Sequence, residues 1–405
     1  MYEELNMELT DEHNMIKEEA HKFAKEVLRP AGLELDKIYD PKEMIKSPVL
    51  WETLKKAYEL KYHTVLLPDS LGGAGVDPLG AHIIFEELGW GSVDLAISIS
   101  VSSLPAFGIL MVPTDRLLEE VLFPFCNDKD ASIIGCWAIT EPDHGSDTLC
   151  PYTPQFHNSE IKGQCKATLD GDEWVINGQK SAWVSNGTIA THALLFVNID
   201  PAQGMAGGGI CIVPLSSAGV SKGAPLNKMG QRALNQGEIF FDNVRIPEEY
   251  MLVGPDAYEG MVDIVLATAN AAMGAFFTGL ARAAYEEALE YSKQRVQGGK
   301  ILFEHELIKH KLFEMFMNIE AARAISRSAM VYNYTNIPPK VEYSIASKVF
   351  CTNVAYKVTS NALQIFGGYG LAKEYPIEKF FRDARAGLIE DGSNDSLMLT
   401  GAHHL

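Results

Sequence analysis

Apolar residues recur every three or four positions through residues 8–128, in stretches such as MIKEEAHKFAKEVL and VLWETLKKAYEL, a period that gathers them on one helical face. The turn-rich PDSLGGAG (68–75) separates these helices. Through 131–246 the pattern shortens to β-rich runs, SIIGCWAIT, WVINGQKSAWVS, HALLFVNI, GICIVPL and GEIFFDNVRI, broken by Asn-Gly and Gly-rich turns. Beyond residue 247 the helical period returns in three long segments, ATANAAMGAFFTGLARAAYEEALEYSKQR, HELIKHKLFEMFMNIEAARAISRSAMVYNY and VEYSIASKVFCTNVAYKVTSNALQIF. The pattern predicts an α+β chain: a helical domain over 1–130, a compact β domain over 131–246 and a four-helix bundle over 247–405. Met273, Phe276, Leu280 and Ala284 fall at helical spacing and are expected to be core without chemistry.

Composition narrows the function classes. A chain of 405 residues that is 47% hydrophobic can bury several cores. Its formal net charge of −19 excludes the basic footprint of a nucleic-acid binder. The amino end is acidic and amphipathic, unlike a secretion signal, and no uncharged apolar run long enough to span a bilayer is expected. Cys126, Cys136, Cys150, Cys165, Cys211 and Cys351 form no CxxC pair and no Cys/His cluster at metal spacing. Reduced thiols in a cytoplasmic protein without a structural metal are the expectation.

Four motifs carry candidate chemistry. WAITEPDHGSD (137–147) ends a strand in a polar, Gly-containing loop whose amides and hydroxyls could hold an anion or a flat heterocycle. WVSNG (183–187) sets an aromatic ring and a hydroxyl before a tight turn. RVQGGK (295–300) puts a guanidinium beside a Gly-Gly break, suited to a pyrophosphate, and QIFGGYG (364–370) ends a helix in glycines that admit close backbone approach.

These motifs, with PDSLGGAG, NKMGQRALNQGEIFFDNVRIP and QIFGGYGLAKEYPIEKFFRDAR, occur in an order that resembles the acyl-CoA dehydrogenase family over nearly the whole chain. The resemblance implies FAD between a middle β domain, a barrel or sandwich, and a carboxy-terminal four-helix bundle. It also implies an acyl-CoA substrate, an electron-transfer flavoprotein as acceptor, and a homotetramer. Carried over residue by residue, it places Trp137, Ile139, Thr140 and Ser146 beside the flavin ring and the CoA entrance, with Trp183 and Ser185 walling the ring. Arg295, Gln364 and Gly368 would reach FAD bound to a neighbouring subunit, and His305 falls at a flavin-contacting position. Gly298 departs from the usual Phe. Ser393 and Asp395 take flavin-contact places, Glu390 and Gly392 flank the substrate, and Asn270 stands where an Arg usually positions CoA. The segment 149–169 is longer than the usual hairpin, and its Lys162 and Lys166 are candidate phosphate contacts or solvated loop charges.

The family removes an α proton from the thioester with a Glu downstream of RDA, and the gap-free count from Arg382-Asp383-Ala384 places Asp391 there. One methylene fewer withdraws the carboxylate by roughly 1.5 Å, against a proton-transfer separation of about 2.6–3.2 Å. Three readings stay open: Asp391 is the base for an acyl group of altered shape, alicyclic or branched; the base has moved; or the fold performs lyase-type or oxidase-type chemistry or only binds acyl-CoA. Asp94, isolated in WGSVDLAISISVSSLPAFGILMVP, is the relocated candidate, competing with a helix-cap role, and a one-residue slip would select Glu390.

Overall fold

The computed structural model describes residues 4–405. Helices Asp11–Phe23 and Arg29–Asp36 pack on a long apolar helix, α1 (Pro78–Val101), whose residues are almost all buried, and Pro48–Glu59 packs on Arg29–Asp36. Asp77 caps it by accepting from the Gly80 amide at 2.7 Å, and Pro78 at its first position has no amide to leave unpaired. At Ser92 the backbone turns extended (φ −161°, ψ 107°) and α1 kinks.

The middle region is an eight-stranded sheet. Its strands are β1 (Gly135–Ala138), β2 (Lys166–Asp170), β3 (Glu173–Ser185), β4 (His192–Asn198), β5 (Gly208–Pro214), β6 (Val220–Lys222), β7 (Gln236–Pro247) and β8 (Met251–Val253), in the order β6-β7-β3-β2-β4-β5-β8, with β1 parallel to β4. β4 and β5 are buried on both faces, which explains their unbroken apolar runs. The β3–β7 ladder loses register between Lys180 and Val184, so the main chain just before Ser185 leaves the regular pairing.

The remainder is helical: α2 (Pro255–Gln294), α3 (Glu306–Thr335) and α4 (Val341–Phe366), with the shorter α5 (Ile377–Ala386) and α6 (Asn394–His403) packed on α4. An 18-residue window of α2 has the length and apolarity of a membrane span, contrary to the sequence expectation, yet 89% of it is buried within the protein. It is the central core helix. α1 crosses α2 backbone to backbone: a Cβ on Gly89 would lie 2.1 Å from the Phe276 carbonyl oxygen, and one on Gly279 would lie 2.0 Å from that of Glu86. Beside this crossing Arg282 bonds Glu86 and Glu87, and Arg323 also bonds Glu86. Burial opposes ionisation of Glu86, but the two guanidinium charges outweigh it and hold its carboxyl well below the usual range. The amino-terminal helices are thereby locked to the bundle, and the turn after α5 meets the mouth of the sheet.

Candidate active site

That meeting encloses a cavity of about 530 Å³, a volume ordinary for a small-molecule site. The sheet contributes Trp137, Ile139 and Thr140 from the end of β1, Trp183 and Ser185 from the end of β3, and Gln236 from the start of β7. The loop before β7 contributes Lys228 and Gln231, and the segment after β1 contributes Ser146. The opposite wall is Arg382 and Arg385 of α5 with Glu390, Asp391 and Gly392 of the turn that follows. Trp183 is 58% exposed, an unusual state for an indole without a flat partner. Gln236 donates to Ser185 Oγ (3.2 Å) and to the Trp183 carbonyl (3.3 Å), fixing that edge. Lys228 donates in turn to Gln236 Oε1 (2.7 Å) and the Leu234 carbonyl (2.7 Å).

Asp391 is held in a left-handed conformation (φ 52°), uncommon for a residue with a side chain, and Gly392 continues the turn at φ 93°. Three contacts hold this turn. The Asn270 amide donates to the Asp391 carbonyl (3.3 Å), Lys348 donates to the Gly392 carbonyl (2.8 Å), and the Ser393 amide donates to Ser146 Oγ (2.8 Å). The Asp391 carboxylate takes no hydrogen bond and no ion pair among the described residues. Burial raises it to about 6, with the Lys348 ammonium pulling the other way. The neighbouring Glu390 accepts from Gln231 Nε2 at 2.5 Å; burial, then the Asp391 charge, lift it to about 8. Two adjacent carboxyls are thus split, one ionised and one protonated near neutrality.

Asp94 is elsewhere, which corrects its candidacy as a relocated base. It is fully buried and absent from the cavity wall, with four donors on its two oxygens: Ser92 Oγ (2.5 Å) and the Leu95 amide (3.0 Å) on Oδ1, and the Ala233 amide (3.1 Å) and Lys379 (3.0 Å) on Oδ2. Burial would raise its carboxyl, but the Lys379 charge and these hydrogen bonds hold it low. Lys379 is shared with buried Asp383, which bonds the Gln231 amide behind the cavity. A saturated carboxylate with no lone pair to spare is a structural anchor at the α1 kink.

Other expected positions also separate. Asn270 is buried beneath Asp391, donates to its backbone carbonyl and does not line the cavity. Ser393 caps α6 through the Ser396 amide and Asp395 lies exposed on that helix, so neither lines the cavity. Arg295 faces a different pocket of about 500 Å³ with Tyr291, Phe366, Tyr369 and Tyr375, its guanidinium 5.2 Å from the centre of the Tyr369 ring. Gln364 and Gly368 are exposed on that side of the bundle, and His305 bonds the Gln297 carbonyl (2.9 Å). Gly298 sits beneath the His305 ring, where a Cβ would meet Cε1 at 3.3 Å. Lys162 and Lys166 are exposed and do not line the cavity. Missed from the sequence were Gln231, Lys228 and Lys348, which lie outside the turn yet shift its carboxyls, and Gln236, which fixes the Ser185 edge.

A flavin ring requires an aromatic face and polar edges, and the half-exposed Trp183, the Thr140 and Ser185 hydroxyls and the strand end released at the β3–β7 irregularity supply both. The comparisons agree with this fit. Models of the acyl-CoA dehydrogenase N-terminal, middle and C-terminal domains match residues 10–129, 136–244 and 264–405. The bovine (Bos taurus) mitochondrial short-chain specific acyl-CoA dehydrogenase is 30% identical over 403 residues, covering 99% of this chain and 91% of that protein. Among solved structures, butyryl-CoA dehydrogenase from Megasphaera elsdenii superposes with a TM-score of 0.86 at 29% identity, covering 98% of this chain and 99% of that one. A chain from the work on the electron transferring flavoprotein of Acidaminococcus fermentans also gives 0.86, at 28% identity and the same coverage. With full-length similarity, all three domains in order and a cavity that fits the flavin, this chain belongs to the acyl-CoA dehydrogenase family of FAD-dependent oxidoreductases.

Proposed function

We propose that Asp391 is the base of an acyl-CoA dehydrogenation carried out in the 530 Å³ cavity. The observation that carries this reading is the unbonded Asp391 carboxylate on the cavity wall, beside a Glu390 already engaged by Gln231. With Asp391 raised to about 6, the group is ionised at neutral pH yet basic enough to take a proton from a thioester α carbon. The amides of Asp391 and Gly392 donate to no protein acceptor among the described residues, so they are available to a thioester carbonyl, where they would stabilise charge developing on its oxygen. Asn270 and Lys348 hold the turn that aims these groups. FAD, held by Trp137, Ile139, Thr140, Trp183 and Ser185, would supply the hydride acceptor for the β carbon.

The short reach of Asp391 favours an acyl group that seats deeper or is broader than a linear chain, branched or alicyclic. The second pocket, around Arg295, shares no lining residue with the first, and its open aromatic lining, with Tyr369 exposed, supports an assembly in which a neighbouring copy completes the cofactor site, a tetramer by family analogy. An electron-transfer flavoprotein is the acceptor that the A. fermentans likeness favours. Six free cysteines, all buried, keep with a reducing cytoplasm. The test is a panel of linear, branched, alicyclic and dicarboxylic acyl-CoAs mixed anaerobically with the yellow holoenzyme. Bleaching of the flavin with a 2-enoyl product two mass units lighter is expected, and a panel that binds without bleaching would remove the dehydrogenase reading.

A further inference from the structure

The cavity beside Asp391 is lined by apolar side chains such as Leu149 and Ile389, but its wall is not wholly apolar. Glu390 and Gln231 stand there as a bonded pair, Gln231 2% exposed and nonetheless lining the cavity. The pair is fixed from behind: Gln231 Nε2 also reaches the Asp383 carbonyl (3.4 Å), and its backbone amide bonds the Asp383 carboxylate. Each member keeps an unused polar atom. Glu390 Oε2 and Gln231 Oε1 enter no hydrogen bond among the described residues. Two polar neighbours are committed elsewhere, Lys228 to Gln236 and Leu234, and Arg382 to Asp36, Glu378 and the Met229 carbonyl, whereas the Arg385 side chain on the same wall makes no hydrogen bond or ion pair among the described residues. A polar pair of one buried and one half-buried side chain, facing an alkyl chain, would lose its water without compensation, at a cost in affinity. A ligand group that both donates and accepts would satisfy both atoms.

We propose that Glu390 and Gln231 form a specificity subsite for an acyl group bearing an uncharged hydrogen-bonding substituent, a hydroxyl or a carboxamide. This rests on the cavity being the acyl site and names the class of acyl group it takes. A protonated Glu390 donates to the substituent's oxygen while Gln231 Oε1 accepts its O–H or N–H. Sites built to bond a polar substituent reject the analogue that lacks it far more strongly than apolar pockets reject an added methylene.

The experiment uses thioester pairs that differ only by hydroxyl for methyl: 4-hydroxybutyryl-CoA with pentanoyl-CoA, and 4-hydroxycyclohexanecarboxyl-CoA with its 4-methyl counterpart. Binding to oxidised Asp391→Asn holoenzyme is measured by calorimetry from pH 5 to 8, because the neutral Asn removes a charge that helps keep Glu390 protonated; the readout needs no turnover. The hydroxyl member of at least one pair is expected to bind about tenfold tighter or better, with the preference lost in Glu390→Leu and Gln231→Leu and partly kept in Glu390→Gln. Equal or tighter binding of both methyl members, or a hydroxyl preference unchanged by Glu390→Leu and Glu390→Gln, would overturn the subsite. If Asp391→Asn bleaches its flavin at near-normal rate, the base assignment fails, while the binding ratio still decides the subsite.

Discussion

Asp94 and Asp391 are both aspartates that sequence alone offered as a base, and the structure surrounds them in opposite ways. Asp94 is sealed at a helix kink with four donors, one of them a lysine, so its carboxyl is held low and every lone pair is used. Asp391 lies on a cavity wall in a left-handed turn, unbonded and raised to about 6. Burial acts on both. Compensation separates them: a fully bonded carboxylate is an anchor, and an uncompensated one in a cavity is reactive.

The largest way to break this contrast is Asp391→Asn, which keeps the shape and removes the base. Flavin reduction by a good substrate is expected to fall by about a thousandfold or more, with binding within a few-fold of wild type. Asp94→Asn should act on stability: it leaves the Lys379 ammonium short of a buried partner, at a cost of about 3 kcal/mol or more, seen as a lower denaturation midpoint, while the folded fraction reduces its flavin at near-normal rate. Asn270→Ala removes the support under the Asp391 carbonyl and should slow reduction about tenfold with little change in binding, measured by stopped-flow. Smallest is Lys348→Met. Because the ammonium favours the ionised form of Asp391, its loss should move the acid limb of the rate profile upward by about one pH unit.

The same shifts carry a sign for stability. Asp391 and Glu390 have folded values above those of free carboxyls, so their protonated forms favour the fold. That contribution is complete below the ordinary carboxylate range and is lost as pH rises through about 6 for Asp391 and about 8 for Glu390. Glu390→Gln, which cannot ionise, should therefore hold its melting temperature better than wild type between pH 7 and 9.

Much of the fold was legible because periodicity is local. The change from helical to alternating spacing located the sheet, and the strand-end motifs around Trp137 and Trp183 do line the cavity. Asp391 could be counted to from RDA since the turn keeps its length. What escaped depended on pairing across the chain: Asp94 meets Lys379 at a separation of 285 residues and Gln231 meets Glu390 at 159, partnerships that no local pattern encodes. The apolar run in α2 misled for a related reason, as only packing shows that its surface faces protein. Asn270 looked like a misplaced CoA ligand until the turn it supports came into view.

The most direct measurement is the pH dependence of the second-order rate of anaerobic flavin reduction, at limiting concentrations of one acyl-CoA, for wild type, Asp391→Asn and Asp94→Asn. The account predicts an acid limb near pH 6 in wild type and Asp94→Asn, with Asp391→Asn slow throughout and lacking that limb. A normal rate and an intact limb in Asp391→Asn, with both lost in folded Asp94→Asn, would contradict it.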